Sequence, residues 1–217
     1  MNNIDKNSTR FSAKTIFVSA VLVAGLVAGA IYVTLTPDGN DETQTVLPFD
    51  QGMREELRPF ATGEMAALFV SEDVSNRNSL GFQNRAGEDI SVADWQGRIV
   101  LVNLWATWCP PCRAEMPALD QLQAQLGGAD FEVVAINVDR GGPGKGEAFY
   151  TEIGLNNLRF YYDGSQPGIV RELSVIGMPT TLLLDRQGRE VARLAGPAEW
   201  ASEDAVKLIE AAIGADQ

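Results

Sequence analysis

The sequence predicts an α/β domain, in which a mixed central sheet carries helices on both faces, preceded by one transmembrane helix. Three observations lead to this prediction. An uncharged apolar segment lies near the N-terminus, buried-strand patterns alternate with helix patterns after residue 80, and the hydrophobic fraction of 45% is ordinary for a folded protein. The length of 217 residues suits one domain with appendages.

The N-terminal apolar segment, 15–36, contains no charged residue. As a helix it would span about 33 Å, enough to cross a hydrocarbon core of about 30 Å. Basic residues dominate 1–14 and acidic residues follow the segment, so the positive-inside rule places 1–14 in the cytoplasm and exports the rest. Cleavage after the signal-peptide-like Ala28-Gly29-Ala30 is the alternative, but it would leave an apolar stub. We therefore predict an uncleaved membrane anchor.

The next segment, 37–60, is polar and is interrupted by Pro37, Pro48 and Pro59. This composition predicts a flexible linker, which leaves 61–217 as the folded domain.

Composition excludes several kinds of chemistry. The chain has no histidine, so it cannot run a Ser-His-Asp or Cys-His mechanism or build a histidine-containing zinc or haem site. Its two cysteines cannot form a four-cysteine metal site. A net charge of −12 argues against nucleic acid as a partner, because phosphate binding needs a basic surface.

The first half of the domain is predicted from turn signals and apolar runs. A short lead-in helix is expected at 62–68, and two strands at 82–86 and 89–92 flank Gly87 as a small hairpin. The nearly continuous apolar run at 98–104 is typical of a strand that is buried on both faces. Apolar residues at three- and four-residue spacings then predict a helix at 110–126, which Gly127-Gly128 ends.

The second half continues the alternation. A second apolar run predicts a strand, and a hairpin signal surrounds Gly188. The glycine-rich segment 141–146 is predicted to be a surface loop, because it lacks the spacing of a phosphate-binding loop. An amphipathic pattern with acidic residues in its first turn predicts the last helix. The predicted elements are strands at 131–138, 158–162, 180–185 and 190–194, and helices at 147–153, 169–173 and 200–213.

Both cysteines lie in one motif, Cys109-Pro110-Pro111-Cys112, between a predicted buried strand and its helix. The unpaired N–H groups and positive dipole of a helix N-terminus favour the Cys109 thiolate, and Cys112, one turn further on, could resolve a mixed disulfide. Proline is tolerated in the first helical turn. A passive disulfide would gain little from so short a loop, and half a metal site has no further Cys or His ligands. We therefore predict a redox-active dithiol.

Two motifs resemble a known family. The sequence NLWATWCPPCRAEMP at 103–117 resembles the active-site signature of the TlpA/ResA/CcmG group of thioredoxin-fold proteins, and GMPTT at 177–181 is similar to the cis-proline loop of that group. Residues 63–68 and 196–205 are also similar, so the resemblance covers about 60–215. It implies a thioredoxin-like fold with an N-terminal hairpin and a central α-β insert.

The resemblance also implies roles for individual residues. Cys109 would be the nucleophile and Cys112 the resolving thiol. The residues expected to shape the site and bind substrate are Trp108, Pro110, Pro111, Met178 and Pro179, the last as a cis-proline facing the sulfurs. No metal and no cofactor is expected.

One position departs from thioredoxin itself. Where thioredoxin buries a carboxylate beneath the resolving cysteine, this chain has Asn103, which cannot exchange a proton near neutral pH. Glu115 is the nearest carboxylate in sequence and could assist deprotonation of Cys112. The alternative is that Glu115 lies on a solvated helix face.

The resemblance implies a periplasmic reductant, held in the inner membrane by its own single helix. Its clients would be oxidase subunit II, its copper chaperone or apocytochrome c, and a membrane protein of the DsbD or CcdA type would supply electrons. The absence of a histidine between the cysteines supports a reductant, since that histidine stabilises the thiolate of strong oxidants. A dithiol oxidase or isomerase, or a copper-chaperone or docking module using the acidic surface, are the alternatives.

Overall fold

The computed structural model describes residues 49–164 and 168–215. The predicted membrane helix, 15–36, and the predicted cytoplasmic segment, 1–14, lie outside these residues. Within the described parts, no helix has both the length and the apolar character that crossing a membrane requires.

A mixed sheet forms the centre of the domain, as predicted, and the described residues contribute eight strands to it. Its strands are β1 (Leu68–Asn76), β2 (Gly81–Asn84), β3 (Asp89–Ser91), β4 (Ile99–Trp105), β5 (Phe131–Asn137), β6 (Tyr161–Tyr162), β7 (Thr180–Leu184) and β8 (Arg189–Ala195). They lie in the order β1-β8-β7-β4-β5-β6-β2-β3. The pairs β4–β5 and β5–β6 are parallel and the others are antiparallel.

Helices cover both faces of the sheet. They are α1 (Phe49–Leu57), α2 (Pro110–Leu126), α3 (Gly144–Ile153), α4 (Ile169–Glu172) and α5 (Glu203–Gly214). Because side chains alternate along a strand, β4 supplies two cores. Ile99 and Leu101 pack with residues of α1, α2, α3 and α5, whereas Val100 and Val102 pack with residues of α4 and of the 3-10 helix Val92–Trp95.

The structure differs from the predicted linker over residues 49–60. This part is helical, as α1 followed by the 3-10 helix Arg58–Phe60, and α1 contacts α5, β8 and β1. Met53 and Leu57, one turn apart, are 1% and 0% exposed. Pro59 is compatible with this, because it occupies the first turn of the 3-10 helix, where no N–H is needed. Residues 37–48 lie outside the described residues.

A buried arginine fixes α1 to the edge of the sheet. The Nη1 of Arg54 donates hydrogen bonds to the carbonyl oxygens of Ser71, at 2.8 Å, and Glu72, at 2.6 Å. These carbonyls lie in β1 where its register with β8 shifts, between Val70 and Ser75. The arginine therefore satisfies backbone groups that the strand pairing leaves open.

We expect Leu57→Ala to destabilise the domain by about 2–3 kcal/mol, because the truncation leaves a cavity in the core. The cost is at the low end of the usual range because a helix at the edge of the core can shift to fill part of that cavity. Denaturant unfolding measures this loss. Glu56→Ala, at an exposed position of the same helix, is the control. Equal stability of the two variants would show that α1 contributes nothing to the core.

Two other predictions are wrong in detail. The lead-in helix at 62–68 is reduced to the 3-10 helix Gly63–Met65, and strand β1 was not predicted. The sequence of β1 after Val70 is polar and does not predict a strand, which forms here because the segment pairs with β8. The predicted strand at 158–162 is limited to Tyr161–Tyr162.

Candidate active site

The two cysteines lie at the junction between β4 and α2. Cys109 is the N-cap residue of α2, with an extended backbone, and its Sγ accepts a hydrogen bond from the N–H of Cys112 at 3.3 Å. The sulfurs are joined in a disulfide. Cys109 is 4% exposed and Cys112 is fully buried, so Cys109 is the more accessible sulfur.

The two prolines between the cysteines leave Cys109 with few hydrogen-bond donors. Pro110 and Pro111 are exposed and occupy the first two positions of α2, where they supply no N–H. Among residues 49–164 and 168–215, the N–H of Cys112 is the one group that donates to the Cys109 sulfur. The helix N-terminus therefore stabilises a Cys109 thiolate less than a helix with free N–H groups at these positions would.

The loop before β7 reaches the same end of the sheet. Thr180 of β7 pairs with Leu104 of β4, and the preceding Met178–Pro179 bond is cis, as predicted. Pro179 is buried and Met178 is half-buried. Trp108, beside the disulfide, is 65% exposed.

A groove of about 760 Å³ lies between the loop that carries Trp108 and the loop that carries Met178. Trp108 and Met178 line it, together with the loop after β5 and residues around α4. The groove is large enough for several side chains of an extended peptide. Among the predicted supporting residues, Trp108 and Met178 are the ones that line it.

Glu115 lies on the buried side of the active-site helix, so the alternative of a solvated helix face is wrong. It is 4% exposed, and it lies one turn after Cys112 on α2. Burial raises the pKa of Glu115 to about 7, although hydrogen bonds from Asn103, Ala198 and Trp200 to its carboxylate oppose that rise. A carboxyl group of this kind can gain or lose a proton at neutral pH.

The hydrogen bonds of Glu115 come from distant parts of the chain. Asn103 Nδ2 donates to Oε1 at 2.8 Å, and the N–H of Ala198 and the Nε1 of Trp200 donate to Oε2 at 3.1 and 3.3 Å. Trp200 is fully buried, and no sequence pattern indicated its contact with this carboxylate. These three hydrogen bonds hold the carboxyl group of Glu115 in one position.

Asn103 joins the carboxyl group to the sheet. Its Nδ2 donates to Thr181 Oγ1 at 2.9 Å as well as to Glu115. Its Oδ1 is buried and has no hydrogen-bond partner among the residues that the structure describes. The amide is therefore oriented as a donor toward an ionised Glu115. A protonated Glu115 would instead need an acceptor, which the same amide provides when rotated by 180°.

A second carboxylate holds the loop that carries Cys109. Asp139, 8% exposed, accepts hydrogen bonds from the N–H of Thr107 at 3.1 Å and from Asn137 Nδ2 at 3.1 Å. Gly146 of α3 lies against Asn137, and a Cβ there would come within 2.9 Å of it. Sequence reasoning missed Asp139, and the signal available was its place immediately after the β5 run.

Comparison with known proteins agrees with this geometry. A family model described as Redoxin matches residues 73–209. The thiol-disulfide oxidoreductase ResA of Bacillus cereus is 29% identical over 153 residues, which cover 67% of this chain and 76% of ResA. The thiol:disulfide interchange protein HelX of Rhodobacter capsulatus is 36% identical over 102 residues, 46% of this chain and 54% of HelX.

Solved structures extend the comparison. A thiol:disulfide interchange protein of the DsbE type from Chlorobium tepidum is 30% identical, with a TM-score of 0.56, covering 66% of this chain and all of that one, 100%. A secreted thiol-disulfide isomerase from Corynebacterium glutamicum is 25% identical, with a TM-score of 0.53, covering 66% of this chain and 92% of that one. The chain therefore belongs to the Redoxin family, as a thioredoxin-fold thiol:disulfide oxidoreductase of the TlpA/ResA/CcmG type.

Proposed function

We propose that this chain reduces disulfides in exported proteins, with Cys109 as nucleophile and Cys112 as resolving thiol. The observation that carries the direction of the reaction is the sparse hydrogen bonding of the Cys109 sulfur, with one N–H donor from the described residues. A thiolate that is weakly stabilised belongs to a dithiol that gives up its electrons readily.

The proposed reaction has two steps. The Cys109 thiolate attacks a client disulfide, which forms a Cys109–client bond and releases one client sulfur as thiolate. Cys112 then loses its proton and attacks Cys109, so that the Cys109–Cys112 disulfide of the structure forms and the second client sulfur leaves. Two electrons pass to the client, and a membrane donor must return two electrons to the chain.

Glu115 is the proposed acceptor of the Cys112 proton. It follows Cys112 by one helical turn, on the buried side of α2, and its pKa of about 7, raised by burial, suits proton transfer at neutral pH. Asn103 cannot take the proton itself, but it orients the carboxyl group that does.

Location and clients extend the same proposal. The apolar segment 15–36, with basic residues before it, supports an inner-membrane anchor and a periplasmic domain. The relatives named as thiol:disulfide interchange and thiol-disulfide oxidoreductase proteins support clients with oxidised cysteines. We propose that these clients are oxidase subunit II, its copper chaperone or apocytochrome c.

The reduction potential of the Cys109–Cys112 pair tests the direction. We expect a value near or below about −200 mV, in the range of thioredoxins and glutaredoxins. Equilibration of the full-length chain with dithiothreitol or glutathione buffers measures it. A value near about −120 mV would place the chain with strong oxidants and favour a dithiol oxidase or an isomerase. The C. glutamicum protein is named a thiol-disulfide isomerase.

A further inference from the structure

Basic side chains surround the groove beside the disulfide, although the protein has a net charge of −12. Arg140 and Arg171 line the groove, and Lys145 lines the adjoining recess together with Trp108 and Arg140. All three basic side chains are exposed. We call these three residues the groove cations.

The groove cations have no internal counter-charge. Within residues 49–164 and 168–215, no carboxylate lies within ion-pair distance of any of them. Most other basic residues there are paired: Arg77 and Arg193 with Glu190, Arg85 with Glu147, Arg98 and Arg159 with Glu132, Arg186 with Asp130, Arg189 with Asp185, and Lys207 with Glu203. The groove cations are therefore available to an external partner.

The acidic groups of the groove are engaged with the backbone. Asp139 is 8% exposed and accepts the N–H of Thr107 at 3.1 Å, and Asp163 Oδ2 accepts the N–H of Ile169 at 2.8 Å. Asp139 is buried, and Asp163 is half-buried, whereas both arginines of the groove are exposed. The most accessible charged side chains that line the groove are consequently basic.

Apolar side chains stand next to these charges. Trp108 is 65% exposed, and Ile176, in the loop before the cis-proline, is 96% exposed. Val138, Val175 and Met178 add apolar surface to the groove wall. Large exposed apolar groups beside a groove are typical of a surface that another protein covers.

We propose that the groove selects client segments that carry acidic residues beside the exchanging cysteine, along with an apolar residue that packs on Trp108. The inference rests on the proposed function and specifies its substrate class. At 0.1 M salt the Debye length is about 10 Å, so a bound segment is exposed to the groove cations while the acidic remainder of the surface is largely screened. Each exposed contact between a carboxylate and a cation contributes modestly, so two contacts give about a fivefold preference.

Three disulfide-bonded peptides test the selection. They share one sequence, except that two residues flanking the attacked cysteine are both Glu, both Gln or both Lys. At 0.1 M salt the reduced full-length chain should react with the Glu peptide about fivefold faster than with the Gln peptide, and more slowly still with the Lys peptide. These ratios should approach one at 1 M. Equal rates at 0.1 M, or faster reaction of the Lys peptide, would overturn the inference.

Charge reversal locates the effect. Arg140→Glu combined with Arg171→Glu should abolish or invert the order of the peptides. Arg58→Glu is the control for charge reversal elsewhere on the surface. Arg58 is exposed, has no ion pair with any residue that the structure describes, and lies in a different recess with Glu55 and Glu72. An unchanged preference in the groove variant, or the same loss in the control, would show that the groove cations do not set it.

The two proposals fail separately. If the reduction potential is near that of strong oxidants, the direction of reaction is wrong, but the same peptides in dithiol form still report the preference as oxidation rates. If the reduction potential is low and the three peptides react at equal rates, the proposed reductant activity is supported and the proposed preference for acidic segments is wrong.

Discussion

Cys109→Ser should reduce disulfide exchange to the uncatalysed rate, whereas Cys112→Ser should trap the client as a mixed disulfide. The reason is that a serine hydroxyl is not ionised near neutral pH and cannot replace the attacking thiolate, while loss of Cys112 removes only the resolving step. Non-reducing electrophoresis and intact-mass measurement of each variant, mixed with a disulfide-bonded peptide, detect the adduct. The exposure of the two sulfurs, 4% and 0%, motivates this order of attack.

The paired variants control each other. Both remove the same disulfide, so a shared loss of stability cannot explain opposite outcomes. If Cys109→Ser formed the adduct and Cys112→Ser did not, the two roles would be reversed.

Glu115→Gln should slow the resolving step about a hundredfold at pH 7.5, the lower part of the range for loss of general base catalysis. In the unmodified chain the rate of this step should rise with pH through about 7, since burial raises the pKa of Glu115 to about 7 and the ionised form is the base. The variant should lack that inflection. Rapid-mixing measurements of release of the second client thiol, across pH 5 to 9, test both statements.

The same carboxyl group makes stability depend on pH. Its pKa in the folded protein is raised above the value of 4.5 for the free group, so the folded state binds the proton more tightly. The stabilisation is complete below pH 4.5 and is lost as pH rises through 7, by about 3 kcal/mol in total. Denaturant unfolding of the oxidised chain should show this loss between pH 5 and 8.

Two variants make this second measurement specific. Glu115→Gln should not lose that stability, and Glu210→Gln, at an exposed position of α5, should behave as the unmodified chain does. A parallel decline in all three proteins would assign the pH dependence to other groups.

Features fixed by local sequence were predicted well. The apolar runs that became β4 and β5 were located to within a residue, because a strand buried on both faces has a distinctive composition. The cysteine motif and the cis-proline loop were located by their spacing and by resemblance, and the structure brings both to one end of the sheet.

Features that depend on long-range contacts were missed. The burial of Glu115 requires Ala198 and Trp200, which lie more than eighty residues away in sequence, so no local pattern reveals it. Likewise α1 is held by α5 and by the backbone of β1. Met53 and Leu57, the buried apolar residues among those of α1 whose burial is described, are too few to distinguish it from a polar linker.

The integration of α1 into the core changes the geometry of the proposed membrane attachment. Of the predicted linker, 37–60, only 37–48 can act as a tether, because residues 49–57 form α1 and α1 contacts the domain. The reach of a random-coil tether grows with the square root of its length, so halving it shortens the reach by about 30%. The effective concentration of the domain near its point of attachment then rises about threefold. An electron donor in the same membrane would therefore meet the oxidised disulfide more often.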